Sequence, residues 1–412
     1  MQNEGCSRIA FVISNDFGEF GTMRYFTRSQ PFESDTHVLL TGTQYEIQKN
    51  DALLKIYEYR TPESILSTLD EIEPNVIFFC SAYLFVINKI FTLRQVKYLV
   101  RELETREIPL VTTDPLLGYL NQIQPSQIKL NSFKSGLFSA IKRSLFWPQR
   151  YRVYRDFKAL KMLLVNFVHL YPVPRENLSL ENSRINVDFV NEELFSHSAE
   201  AIERIADPTR PESSGIWIYV MSRLDMEIQM DLYENNEFVA ILCDRLLETV
   251  ARGKKVKISI PEPLRSLLES RFCNSLEIDV LGYKPYDQFI EELLSAEVAF
   301  YWNVLSNSAY LRLLNNLPVL FFDIGHMARI FEGSYEIAIR ACLGGRKPRY
   351  LDIRAELSED SLRDKIDESL ALANSVKELF IGSLSPVAVL NQIAGGQQND
   401  NPTNERFSAN TS

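Results

Sequence analysis

The sequence predicts an α/β protein with two parallel sheets in tandem. Three observations carry this expectation. Short continuous apolar runs rich in strand formers recur along the chain, amphipathic segments of helical length separate them, and the pattern breaks between residues 173 and 212 before starting again. Continuous apolar strands interleaved with helices are buried on both faces, as in a parallel sheet covered by helices on each side. At roughly 100–200 residues per domain, a chain of 412 residues suits two such units.

In the first unit, expected over 1–172, residues 8–14 (RIAFVIS) read as a buried strand. The segment 15–21 (NDFGEFG) reads as a loop in which Gly18 and Gly21 permit tight turns, and a helix is expected from Thr22 to about Ser29. Residues 37–42 and 74–80 are the next strands, then an amphipathic helix over 88–106 and a strand over 108–114. The stretch 115–161 differs, holding nine basic residues (Lys129 and Arg150 among them) against the single acid Asp156, with aromatics interleaved. It reads as a basic helical insert. Its side chains are either simply solvated or form a surface for peripheral contact with anionic lipid or a phosphate-bearing acceptor.

The second unit is expected over 213–380, with strands at 215–221, 255–260, 276–281, 298–302, 317–322 and 349–352. Within 285–297, Phe289, Ile290, Leu293 and Leu294 fall on one helical face, and Pro285 suits the first turn. A further helix is expected over 362–379. A terminal helix over 381–394 should pack back on the first unit, and the polar segment 395–412 reads as a disordered tail.

Composition narrows the function. The 45% hydrophobic and 24% charged content excludes a fibrous or disordered chain, and a formal charge of −10 argues against nucleic acid as a partner. The five cysteines form no CxxC pair, which suits a reducing compartment. An N-terminus with Glu4 and Arg8 beside a short apolar run lacks the core of a secretory signal. The most apolar stretch, 76–87, falls short of the ~18–20 residues that span a bilayer. A cytoplasmic chain, at most peripheral to a membrane, is expected. Among motifs, GxxxxGK[ST], GxGxxG after the first strand, HExxH and GxSxG are all absent.

What remains is the segment 281–332. Gly282-Tyr283 lead into the helix ending Leu293-Leu294-Ser295-Ala296-Glu297, then a strand, then Ser306-Asn307-Ser308 at a helix start, then Leu317-Pro318-Val319 running to Asp323, Gly325 and His326. Free backbone N–H groups at a helix start favour an anionic diphosphate, although Ser and Asn are also ordinary N-caps. This order, over about 215–355, resembles the donor half of GT-B glycosyltransferases. That family has an "LLxxAD" helix end, a Ser-rich turn and a "GxPVxxxD" strand, with Asn316 here in place of the Gly.

The resemblance implies two Rossmann-like domains facing across a cleft and a metal-independent transfer of sugar from a nucleotide-sugar donor to a glycan, lipid-linked or protein acceptor, as in polysaccharide biosynthesis. No cofactor and no metal are expected. Arg223, after the strand 215–221, would meet the leaving diphosphate. Gly282, Tyr283, Ser306, Asn307, Ser308, Asp323, Gly325, His326 and Glu332 would line the donor site. Gly18 and Gly21 would shape the acceptor loop, and Asp16 or Glu19 within it would be the general base. One departure stands out: the family's retaining members carry a ribose-binding Glu seven residues before the Pro, where this chain has Leu311, with Arg312 beside it. That leaves two other readings open, a catalytically silent partner of another transferase and a nucleotide-sugar epimerase of the same architecture.

Overall fold

The computed structural model describes residues 8–15, 17–27, 35–87, 89–113, 147–171, 184–186, 215–233, 237–304, 306–322, 339, 342–379, 384, 385, 388–390 and 393. The first unit runs β1 (Ile9–Val12), α1 (Phe17–Thr27), β2 (Thr36–Leu40), α2 (Gly42–Gln48), β3 (Lys55–Glu58), α3 (Pro62–Ile72), β4 (Val76–Phe79), α4 (Ala82–Ile87), α5 (Leu93–Glu104), β5 (Leu110–Thr113), α6 (Trp147–Leu163), β6 (Val168–Tyr171) and β7 (Arg184–Asn186). The second runs β8 (Ile216–Val220), α7 (Arg223–Leu232), α8 (Glu237–Ala251), β9 (Lys255–Ser259), α9 (Leu264–Phe272), β10 (Ile278–Leu281), α10 (Tyr286–Ser295), β11 (Val298–Tyr301), α11 (Asn307–Leu314), β12 (Val319–Phe321) and α12 (Glu359–Leu379).

Every strand pair is parallel, in a seven-stranded sheet of order β3-β2-β1-β4-β5-β6-β7 and a five-stranded sheet of order β10-β9-β8-β11-β12. The predicted fold class is the one observed. In each sheet the strand order reverses once, between β1 and β4 and between β8 and β11. A crevice opens at such a switch point, beyond the carboxyl ends of the strands, because the flanking crossovers leave in opposite directions.

Packing follows from the pattern. On one face of the first sheet, Ile9, Phe11, Val38, Val76 and Phe78 meet Phe20, Met23 and Phe26 of α1, with Phe11 and Phe78 stacked at 4.5 Å between ring centroids. Val389, Leu390 and Ile393 from the far end of the chain join that same cluster. In the second sheet Tyr219, Phe300 and Phe322 form a stacked ladder at 4.5 and 5.4 Å. Capping boxes start α3 (Thr61 with Ser64), α5 (Thr92 with Gln95) and α7 (Ser222 with Asp225).

Several elements depart from expectation. The segment 15–21 is not a glycine loop: α1 begins at Phe17 and takes in Gly18, Glu19 and Gly21. The aromatic face of Phe17 and Phe20 continues into the following turn, and burial against the sheet outweighs the low helix propensity of two glycines. The apolar stretch 76–87 splits into β4 and α4, with Ser81 between them at φ 43°. The expected strand over 349–352 is reduced to a bridge between Leu351 and Phe322. Strand β7 lies within the segment expected to link the units, so the first sheet extends past residue 172. Most of the expected basic insert lies outside the described residues; its last part is α6.

One buried side chain organises the second unit. Arg312, on α11, is fully buried, and its guanidinium donates to the carbonyls of Leu293, Ala296 (3.0 Å), Glu297 (3.2 Å) and Pro318 (3.0 and 3.3 Å). These carbonyls end α10 and enter β11 and β12, so one cation satisfies the negative end of a helix and pins three elements to it. Burial lowers its pKa to about 10, which leaves it charged at neutral pH. Arg312→Met should lower the unfolding free energy by about 3 kcal/mol or more, because several buried carbonyls lose a charged donor together. Chemical denaturation reads this directly, and an unchanged midpoint would mean that the carbonyls find water.

Candidate active site

The two sheets present their carboxyl ends to each other, and α1 of the first unit lies against α10 and α11 of the second. The seam is tight. The side-chain amide of Asn307, in the first turn of α11, donates to the Gly18 carbonyl at 3.2 Å. Phe17 and Tyr283 pack with ring centroids 4.4 Å apart, and Phe20 and Tyr286 with 5.9 Å. A Cβ on Gly21 would stand 2.9 Å from the Tyr286 ring, so only glycine allows this approach without displacing the tyrosine. Arg24, 3% exposed, is held between Asp51 of its own unit and Asp287 of α10, the latter at 2.7 Å.

Beneath α1 lies Glu19, only 2% exposed. The Thr113 hydroxyl, at the carboxyl end of β5, donates to its carboxylate at 2.7 Å. That hydroxyl also accepts from the Ser81 backbone N–H at 2.8 Å, and it contacts Ser81 Oγ at 3.0 Å. Since the only Thr113 hydroxyl proton goes to Glu19, Ser81 must be the donor in the Oγ contact. The chain polarises toward the carboxylate, each donor strengthening the next. The left-handed backbone at Ser81 aims both of its donors at Thr113. The neighbouring Cys80 thiol is pushed well above its ordinary pKa, by burial first and by the charge of Glu19 second. Glu19 is therefore a fixed, buried carboxylate in the first turn of a helix, where the dipole favours negative charge, and not a solvated residue on a mobile loop.

On the opposite side of the seam, Tyr301 Oη donates to Ser308 Oγ at 2.9 Å, and Ser308 Oγ contacts Ser306 Oγ at 2.9 Å. Burial raises the Tyr301 phenol well above its usual range. Ser306 occupies the N-cap of α11 in extended conformation, but its side chain makes no cap bond. The first turn is thus left without the side-chain acceptor that an ordinary N-cap supplies.

Of the residues expected from sequence, the structure brings Gly18, Glu19, Gly21, Tyr283, Asn307 and Ser308 to one seam. Gly282 sits nearby for a packing reason: a Cβ there would lie 2.8 Å from Arg265 Cζ. Arg223 is not gathered in, since its side chain is 79% exposed and pairs with Glu227 one turn along α7 at 3.0 Å. Asp16, Asp323, Gly325, His326 and Glu332 lie outside the described residues. Leu311, where the donor-ribose carboxylate would stand, is buried in the apolar core, and Arg312 beside it is committed to carbonyls. Asn316, in place of the family's glycine, adopts φ 56°, the left-handed conformation that Asn tolerates best after Gly.

Thr113, Ser81, Arg24, Gln44 and Gln48 were not singled out from sequence. The only signal for Ser81 and Thr113 is their place at the ends of predicted strands. Among the described residues, no group of three His, Cys, Asp or Glu side chains could hold a metal ion, and no helix is long and apolar enough to cross a membrane.

No family model and no curated protein matches this sequence. Solved structures do. Phytolacca americana UGT2, complexed with UDP-2-fluoro-glucose and pterostilbene, aligns with a TM-score of 0.53 at 11% identity over 95% of this chain and 100% of that one. The spinosyn rhamnosyltransferase SpnG aligns at 0.50 and 13% identity, over 95% and 100%. The S. aureus MnaA–UDP structure aligns at 0.51 and 10% identity, over 95% and 97%. The chain has the two-domain architecture shared by GT-B glycosyltransferases and UDP-GlcNAc 2-epimerases, at a sequence distance where the likeness is one of fold.

Thr113→Val should remove the hydrogen bond to a buried carboxylate and lower stability by about 1.5–3 kcal/mol, read by urea denaturation. Gly21→Ala should crowd Tyr286 at a cost of about 1–3 kcal/mol, and adding Tyr286→Phe should recover only part of that cost, because the ring carbons are also in contact.

Proposed function

We propose that the chain is a metal-independent glycosyltransferase that moves a sugar from a nucleotide-sugar donor to a glycan, lipid-linked or protein acceptor. The observation that carries this reading is the placement of Glu19. It is a buried carboxylate at the switch point of the first sheet, directly across the seam from the uncapped start of α11 at the switch point of the second. In this reading the first turn of α11, with Ser306, Asn307 and Ser308, receives the diphosphate. Gly282 and Tyr283 flank it, and Asp323, Gly325, His326 and Glu332 complete the donor side. Arg223 would reach the leaving group only by giving up Glu227. Glu19, or Asp16 two residues before helical Gly18, takes the proton of the acceptor hydroxyl as that oxygen attacks the anomeric carbon and the nucleoside diphosphate departs. Thr113 and Ser81 hold the carboxylate in place.

A second reading has equal support from the fold: a nucleotide-sugar epimerase, which works on the donor alone. A putative UDP-N-acetylglucosamine 2-epimerase from Listeria monocytogenes aligns with a TM-score of 0.50 at 11% identity, about as well as the transferases do, and a sealed carboxylate suits chemistry that needs no acceptor. A silent partner of another transferase is the third, favoured by the apolar Leu311 where the ribose carboxylate would stand.

The deciding experiment begins with thermal shifts of the full chain against UDP, GDP, CMP, ADP and dTDP, followed by incubation with the matching nucleotide sugars. The proposal expects one nucleotide to raise Tm, Ser308→Ala to weaken that gain, and Glu19→Gln to cut transfer about 10²–10⁴-fold while nucleotide binding persists. Conversion of the donor to its epimer without acceptor would establish the second reading. A cooperative melt that no nucleotide shifts would favour the third.

A further inference from the structure

Close to Glu19, but on the other side of α1, lies a cluster of polar side chains that the chemistry above does not use. Gln44 is completely buried, and neither its amide nitrogen nor its amide oxygen has a hydrogen-bond partner. Gln48, 1% exposed, lacks a partner for its amide nitrogen, and its oxygen accepts only a long bond from the Tyr286 N–H at 3.4 Å. Ser14 Oγ and Arg24 Nε are buried and unpartnered as well.

These groups belong to one place. Ser14 follows β1, and Asn15 Oδ1 next to it accepts from the Gln44 N–H at 3.1 Å. Gln44 and Gln48 are four residues apart on α2 and so share a face. Tyr286 joins Gln48 to α10, while Asp51 just beyond α2 and Asp287 just beyond Tyr286 grip Arg24 of α1. The cluster therefore sits where α1, α2 and α10 meet. Folded proteins rarely leave a buried carboxamide with both ends unpaired, and a group of such atoms marks a spot completed by something else.

The chemistry selects the occupant. Arg24 already faces two carboxylates, so the spot carries no surplus positive charge for a phosphate. An apolar ring would leave every orphan unpaired. Each carboxamide presents a donor and an acceptor side by side, and so does each hydroxyl of a saccharide. We propose that Ser14, Gln44, Gln48 and Arg24 form a subsite for a neutral, hydroxyl-rich sugar ring of the acceptor. The proposal rests on the transferase reading and narrows its acceptor to an uncharged saccharide at this point. Because Tyr286 and Asp287 close over the cluster, the ring enters when α10 moves off α1 and α2.

The test uses the full chain and saturation-transfer NMR with methyl glucoside, galactoside, mannoside and rhamnoside and with N-acetylglucosamine. Glucose 6-phosphate and phenol serve as the charged and apolar comparisons. Gln44→Met and Gln48→Met are the variants; Gln44→Met should melt no lower than the wild type because it removes two unpaired polar atoms, whereas Gln48→Met also gives up the bond from the Tyr286 N–H. At least one neutral sugar should give transfer with the wild type and bind about tenfold or more weakly to Gln44→Met, with nucleotide affinity unchanged. Equal sugar binding by wild type and both variants would overturn the subsite. So would preference for glucose 6-phosphate or phenol, or silence from every neutral sugar while a nucleotide still binds; in each of these cases the transferase reading stands. Gln44-dependent sugar binding with no response to any nucleotide would sink the transferase reading and leave the sugar site. If Gln44→Met does not fold, Gln44→Leu and Gln48→Met carry the same comparison.

Discussion

The second unit is organised by a cation with no carboxylate beside it. Arg312 spends its donors on the carbonyls that end α10 and lead into β11 and β12. A buried charge is tolerable there because the helix end supplies concentrated negative potential and the carbonyls supply full hydrogen bonding. The consequence reaches the seam. Arg312 lies on α11, so α10 and α11 move as one block. The other ends of those helices carry Tyr286, Asp287 and Asn307, all of which touch α1 or α2. Leu311, beside Arg312, packs into the apolar core of the same block.

The seam combines strong and weak elements in an informative way. The ion pair from Arg24 to Asp287 and the packing of Tyr286 on Gly21 hold the units together, yet Asp287 is 36% exposed and the Tyr286–Gln48 bond is long. Glu19, Thr113 and Ser81, by contrast, lie wholly within the first unit, and their hydrogen bonds do not cross the seam. The first unit thus holds a preorganised carboxylate, and the second brings a helix start to it.

The sequence was most legible where one segment carries both pattern and chemistry. The helices and strands between Gly282 and Pro318 are legible because helix starts and stops have local chemical signatures, although Pro285 proves to be the N-cap of α10 and not part of its first turn, and the left-handed backbone at Asn316 has no separate signal. The surroundings of Glu19 were not legible. Glycines 18 and 21 suggest a loop to any local reading, and the distant Tyr286 explains why glycine stands at position 21 of that helix. Strand β3 was missed because its four residues are only partly buried and include Lys55 and Glu58, which breaks the apolar run. Gln44 and Gln48 look like ordinary surface residues of a polar segment. Their burial arises from the far side of the chain and leaves no trace in their own neighbourhood.

Val389, Leu390 and Ile393 complete the apolar face that α1 covers on the first sheet, although the whole second unit lies between them in sequence. A ribosome releases the chain from its amino end, and domains tend to acquire structure as they emerge. Here the first unit leaves the exit tunnel with part of its core still unsynthesised. It must wait, with Phe11 and Phe78 incompletely covered, while the second unit is made. Final closure of the first unit is therefore one of the last events of biosynthesis, and a nascent chain cut short by even a few dozen residues would carry an intact-looking first sheet that sticks to its neighbours.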